Sequence, residues 1–124
     1  MTLSWGSSFK QYDRLIKAQT PYLNREINKI IEQTGIDVHN WVAQGTPVDT
    51  GLLKKSWVLK ISTKHKRKRV QIENNVHYAA HVEWGTIKMA PRRMLRNAKR
   101  RGRRTMERRL ESLKVKMAKR FNHV

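Results

Sequence analysis

Ser56-Trp57-Val58-Leu59-Lys60-Ile61-Ser62-Thr63 and Arg69-Val70-Gln71-Ile72-Glu73 decide the fold class of this chain. Both runs are rich in β-branched and aromatic residues. Successive side chains of a strand point to opposite faces, so Trp57, Leu59 and Ile61 share one face and the second run alternates apolar with polar. Between them lies Lys64-His65-Lys66-Arg67-Lys68, too charged to be buried, and the whole reads as a β-hairpin with a basic tip. Upstream the period changes. Leu23, Ile27, Ile30, Ile31, Val38, Trp41 and Val42 recur at intervals of three, four and seven, an apolar stripe on a helix of about six turns. Thr20 and Pro21 supply its N-cap and first helical position, and Gly45 and Pro47 end it. Gly35 inside the stripe costs a helix about 1 kcal/mol relative to Ala. Before it, Phe9, Tyr12, Leu15 and Ile16 suggest a short helix over 9–19, and residues 1–8 read as a flexible arm.

Downstream, Asn74-Asn75 marks a turn. Residues 77–84 fit either a short helix or an irregular strand, closed by Gly85. From Pro91 the helical period returns in Met94, Leu95, Ala98, Met106, Leu110, Leu113, Met117 and Phe121, interrupted at Gly102. The expected fold is α+β: a long N-terminal helix, a small antiparallel sheet built on the hairpin, and a long basic C-terminal helix. At 124 residues the chain suits one domain, 1–124, with a core over about 20–100 and a basic extension over 99–124. No internal repeat is visible.

Charge is distributed unevenly. The chain holds 28 Lys and Arg against 9 Asp and Glu, a net +19. Residues 87–124 alone hold 15 basic and 2 acidic residues, a net +13. Such a block repels itself unless something acidic faces it: nucleic acid, an acidic protein surface or an anionic membrane. Residues 1–10 show no basic start followed by an apolar run, so no secretory signal is expected, and no stretch is apolar enough to span a membrane. With no cysteine, disulfides and thiolate metal sites are excluded.

Three segments occur in order: Thr46-Pro47-Val48-Asp49-Thr50-Gly51-Leu52-Leu53-Lys54-Lys55-Ser56, then Asn74-Asn75-Val76-His77-Tyr78-Ala79-Ala80-His81-Val82-Glu83-Trp84-Gly85-Thr86, then Ala90-Pro91-Arg92-Arg93-Met94-Leu95. Together, over roughly residues 20–100, they resemble the phage tail-completion and neck family named after the tenth gene product of a lambdoid phage. The third segment departs from the family pattern, with Arg93 where that pattern has Pro and Met94 where it has Phe. The resemblance implies a virion structural protein near the top of the tail, six-fold symmetric and without catalysis. The positions that carry it are Pro47, Asp49, Thr50, Gly51, Ser56, Tyr78, Ala79, Glu83, Gly85, Thr86, Arg92 and Leu95.

These positions also have a physical reading. Pro47 fixes φ and stops the preceding helix. Asp49 and Thr50 accept hydrogen bonds from following amides. Gly51 opens a conformation closed to other residues, and Leu52 and Leu53 anchor the corner in the core. Tyr78 and Ala79 pack under the sheet. Glu83, among so many cations, is expected to pair with Arg92, Arg93 or Arg96, within the subunit or across a ring interface. Reversing both charges would then restore what either single change loses.

His77 and His81, spaced i, i+4, would share a helix face and could bind zinc with a third ligand such as Glu83. No H-E-x-x-H pattern supports this, and packing or surface roles suffice. Asp49 and Glu83 make no recognisable catalytic pair, and no nucleophile elbow or phosphate-cradling glycine loop exists. Hence no enzyme, metal, cofactor or small-molecule substrate is expected.

The candidate contacts with a neighbouring subunit, partner or DNA are Lys64, Lys66, Arg67, Lys68 and Arg69 on the hairpin. Arg93, Arg96, Arg100, Arg101, Arg103, Arg104, Arg108 and Arg109 add to them on the last helix. They would meet DNA phosphates non-specifically in a channel, or an acidic protein such as a tail-terminator, tail-tube or connector ring, or only solvent. The expected protein is a ring-forming homo-oligomer, a hexamer by resemblance, assembled in the host cytoplasm into a virion. The alternative is a free, non-specific nucleic-acid-binding protein acting through its basic C-terminal helix.

Overall fold

The computed structural model describes residues 2–5, 21–47 and 51–122. The helix expected over 9–19, and Asp49 and Thr50 of the first motif, lie outside the described residues.

Helix α1 spans Pro21–Gln44 and buries Leu23, Ile27, Ile31, Val38 and Val42 of the predicted stripe, with Thr34 and Gly35 beside them, while Ile30 and Trp41 of that stripe are half-buried. It stops where Gly45 and Thr46 turn their amides back to the carbonyls of Trp41 and Ala43, at 3.0 and 3.2 Å. A short helix follows, α2 (Gly51–Lys55). Of its two leucines only Leu53 anchors in the core; Leu52 points to solvent. Gly51 has no need of a special conformation, since only Gly85 among the described glycines has positive φ and a Cβ on Gly51 would meet open space.

Among the described residues the sheet has three strands, the first of them β1 (Thr2–Trp5), within the stretch expected to be an arm. Strands β2 (Val58–Lys64) and β3 (Arg67–Glu73) form the hairpin in antiparallel register, Val58 opposite Glu73 and Lys64 opposite Arg67. The turn is therefore two residues, not five. His65 and Lys66 both take positive φ, 53° and 64°, the pattern of the tight turn whose twist matches the strands. The tip does not project freely. Asn24 and Asn28 of α1 donate to the Lys66 carbonyl at 3.2 and 3.0 Å, and the Lys68 amide donates to Asn28 Oδ1 at 3.0 Å. Trp57 is buried just before β2 and Leu59 is half-buried, but Ile61 is exposed, so the expected common face of these three is buried only at its start.

Strand β1 pairs antiparallel with β3, Thr2 opposite Glu73 and Trp5 opposite Val70. The order β1-β3-β2 makes β3 the central strand, and its Val70 and Ile72 are buried. Helix α1 lies on this strand. A Cβ on Gly35 would come within 2.4 Å of Val70 Cγ1, so the glycine that weakens the helix lets it approach the sheet.

The ambiguous segment resolves as a short helix, α3 (Ala79–Trp84). Helix α4 (Met94–Asn122) begins three residues after the expected entry at Pro91 and runs unbroken through Gly102. It packs along α1 with Met94, Leu95, Ala98, Met106, Leu110, Leu113 and Met117 buried. Arg109 ties the two helices by donating to Thr34 Oγ1 at 2.9 Å and to Asp37 Oδ2 at 2.6 Å.

Candidate protein-docking surface

The first motif builds a corner between helix and sheet. Thr46 is buried; its hydroxyl donates to the Val42 carbonyl at 2.7 Å and accepts from the Trp57 indole N–H at 2.8 Å. Ser56 Oγ donates to the Leu52 carbonyl at 2.6 Å and closes α2. Buried Asn74 completes the corner, donating to the Leu53 carbonyl at 2.9 Å and accepting from the Val76 amide at 3.0 Å. A Thr46→Val substitution keeps the shape but leaves the buried indole N–H without its acceptor. It should cost about 1–3 kcal/mol, read as a lower melting temperature, whereas Thr46→Ser should cost less because the hydroxyl remains.

The second motif builds the joint on which α4 starts. Ala79 is buried, and Tyr78 packs against the core. Glu83, only 1% exposed, accepts from the amides of Leu95 at 2.6 Å and Arg96 at 3.2 Å, and from Arg96 Nε at 3.0 Å. Arg96 also donates to the Glu83 carbonyl at 2.8 Å. A carboxylate from another element thus satisfies two orphan amides of the α4 first turn and complements the positive end of its dipole. Arg96 is the side-chain partner, and it lies in the same subunit. Arg92 and Arg93 contribute backbone only, their amides donating to the Val82 and Glu83 carbonyls at 2.9 and 3.2 Å. Arg93 has φ of 52°, which a proline, locked at about −65°, cannot adopt; the departure from the family pattern at this position suits this backbone.

Gly85 has φ of 79°, and a Cβ there would sit 2.7 Å from Pro91 N, so that position requires glycine. Beyond it, Thr86 and Met89 exchange backbone hydrogen bonds at 2.8 and 3.3 Å, a closed turn that presents residues 87 and 88. Trp84, Ile87 and Met89 are exposed around this turn. Periodicity assigns them no role; the signal they leave in the sequence is a set of large apolar residues outside any stripe.

The basic candidates divide into two groups. Arg96 stacks on Trp84 with its guanidinium carbon 3.9 Å from the ring centroid, Arg101 on Trp41 at 4.0 Å, and Arg109 is held by Thr34 and Asp37. These side chains stabilise the fold. On the hairpin, Lys66 and Lys68 are fixed through their backbone, while Arg67 and Lys68 are half-buried and Lys64 and Arg69 exposed. Arg93, Arg100, Arg103, Arg104 and Arg108 face solvent, although Arg108 reaches Thr105 Oγ1 at 3.4 Å. Both Arg92 and Leu95 of the third motif flank the joint, the former exposed and the latter buried.

His77 precedes α3 and packs edge-on against Tyr78, so the helix does not bring it onto a face with His81, and Glu83 is committed to α4. Among the described residues no group of three or more His, Cys, Asp and Glu side chains could hold a metal ion. No helix there is long and apolar enough to cross a membrane. An open groove of about 430 Å³ between α1 and α4, lined by Glu26, Ile30, Arg109 and Lys116 among others, mixes charges of both signs without a convergent polar set.

One family model, described as "Bacteriophage HK97-gp10, putative tail-component", matches residues 10–85. The match takes in the first motif and the second up to Gly85; the third motif and α4 lie beyond it. No curated protein and no solved structure matches the chain. With more than half of its length matched, the chain belongs to the HK97 gp10-like family of phage tail components.

Proposed function

We propose that this protein completes the head-proximal end of the tail, forming a ring, a hexamer in the simplest case, that joins the tail to the head-side connector or tail terminator. The observation that carries this reading is the family match over residues 10–85. The whole chain, 1–124, acts as one domain, with α1, the sheet and α4 packed on a shared core. Its contribution is binding alone, through contacts repeated around a closed ring. Contact with DNA in the channel would be electrostatic and non-specific, drawing on exposed cations such as Lys64, Arg69 and Arg108.

A free nucleic-acid-binding role would account for the net charge of +19 but would leave the family match without a reason. Electron microscopy of particles from a strain lacking the gene separates the two. Unjoined heads and tails, or tails with an unfinished upper end, are expected. Normal infectious particles would overturn the completion role.

A further inference from the structure

Three large apolar side chains are exposed around the turn that follows α3. Trp84 is 62% exposed despite its contact with Arg96, Met89 is 40% exposed, and Ile87 is as open as in an unfolded chain. Single exposed apolar residues are ordinary, but three within six residues form a patch. Their loop is already ordered. Gly85 lets Pro91 pack against its backbone, Thr86 and Met89 close the turn, and the Arg92 and Arg93 amides anchor its return to α3. A preorganised loop loses little conformational freedom on binding.

Cations continue from this patch. Arg96, Arg100 and Arg103 are spaced four and three residues apart, so they share one face of α4, and the first of them is the residue stacked on Trp84. Arg100 and Arg103 are exposed. Trp, Met and Arg are the residue types enriched in protein interfaces, where an apolar anchor fills a pocket and charges set partner and orientation.

We propose that the loop 84–91 and the first three turns of α4 form one docking surface for another virion protein, whose matching face is acidic around an apolar pocket. This rests on the tail-component reading above. A second copy of this chain does not suit the site. Among the described acids, Glu26, Asp37, Glu73 and Glu83 each pair with a cation of their own chain. Glu107 and Glu111 each stand beside cations three or four residues away on α4, Arg103 and Arg104 for the one and Arg108 and Lys114 for the other, so that with Glu32 they offer no net acidic face. Nucleic acid suits the arginines, but phosphates give an exposed isoleucine and methionine nothing to bury against.

The test is photocrosslinking in assembled particles. Ile87→p-benzoylphenylalanine places the probe on a fully exposed side chain. The particle fraction first reports whether the chain is incorporated. The crosslinked product, identified by mass spectrometry, is expected to join a different virion protein at a segment rich in Asp and Glu. Adding Arg100→Glu and Arg103→Glu, both at exposed positions, should cut the crosslink at least tenfold while circular dichroism shows the helices intact. A crosslink to a second copy, to DNA or to lipid, no crosslink, or a yield indifferent to the two charge reversals would overturn the docking surface alone. Absence of the unaltered chain from particles would overturn the tail reading, and this inference with it.

Discussion

Glu83→Ala is expected to destabilise the protein by about 2–4 kcal/mol, read as a lower urea midpoint at unchanged slope. Breaking a buried ion pair by removing one partner typically costs about 3–5 kcal/mol, and the partial exposure of Arg96, whose side chain is 34% accessible, reduces that. The loss is not only the pair. The amides of Leu95 and Arg96 lose the acceptor that caps α4 from outside the helix. Glu83→Gln should fall between, since its amide oxygen accepts but its NH₂ group then faces a donor. The combination Glu83→Arg with Arg96→Glu should fail to restore stability, because a guanidinium at position 83 would turn donors toward the backbone donors of α4. Charge alone predicts rescue; the backbone contacts predict its failure. Full recovery in the exchanged pair would show that the side-chain attraction, rather than the cap, holds the joint.

Gly35→Ala is expected to destabilise by about 1–2 kcal/mol, although the same change in an exposed helix would stabilise by about 1 kcal/mol. The added Cβ would lie 2.4 Å from Val70 Cγ1, 2.8 Å from Cγ2 and 3.0 Å from Cβ. Val70 is buried on the central strand and β-branched, so it has little freedom to turn away. Helix and sheet must separate, and overpacking costs about 1–3 kcal/mol. A 2.4 Å approach to a buried β-branched side chain falls in the upper part of that range, about 2–3 kcal/mol, which exceeds the gain of the helix by about 1–2 kcal/mol. Val70→Ala leaves a cavity in the parent, yet in the Gly35→Ala background it removes the clash. The double variant should therefore be more stable than the sum of the single effects predicts, by thermal unfolding of all four proteins. Simple additivity would mean that the two positions do not press on one another.

Patterns set by neighbours along the chain are legible in the sequence. The stripe from Leu23 to Val42, the change to a strand pattern at Trp57, the stripe from Met94 to Met117 and the motifs shared with the family all depend on local spacing and residue type. Two local expectations fail for instructive reasons. The run 64–68 reads as a long charged tip, because its Lys and Arg side chains hide the fact that strand pairing is carried by the backbone, which continues to Lys64 and Arg67. Residues 2–5 read as part of an arm because their partner, β3, lies about 70 residues away and periodicity has no access to that distance.

Composition and spacings of a few residues were enough for the α+β class, the two long helices, the hairpin and the excess of positive charge, and the family entered through motifs that resemble its pattern. Which charges are used inside the molecule was settled by packing: Arg96 on Glu83 and Trp84, Arg101 on Trp41, Arg109 on Asp37, leaving Arg100 and Arg103 outside. Packing also explains Gly35 and Gly85, where the space of the missing side chains is taken by Val70 and by Pro91. The physical reason is the same in both cases. A charge or a glycine looks alike wherever it stands in a chain, and its energy depends on what the fold brings within a few ångströms of it.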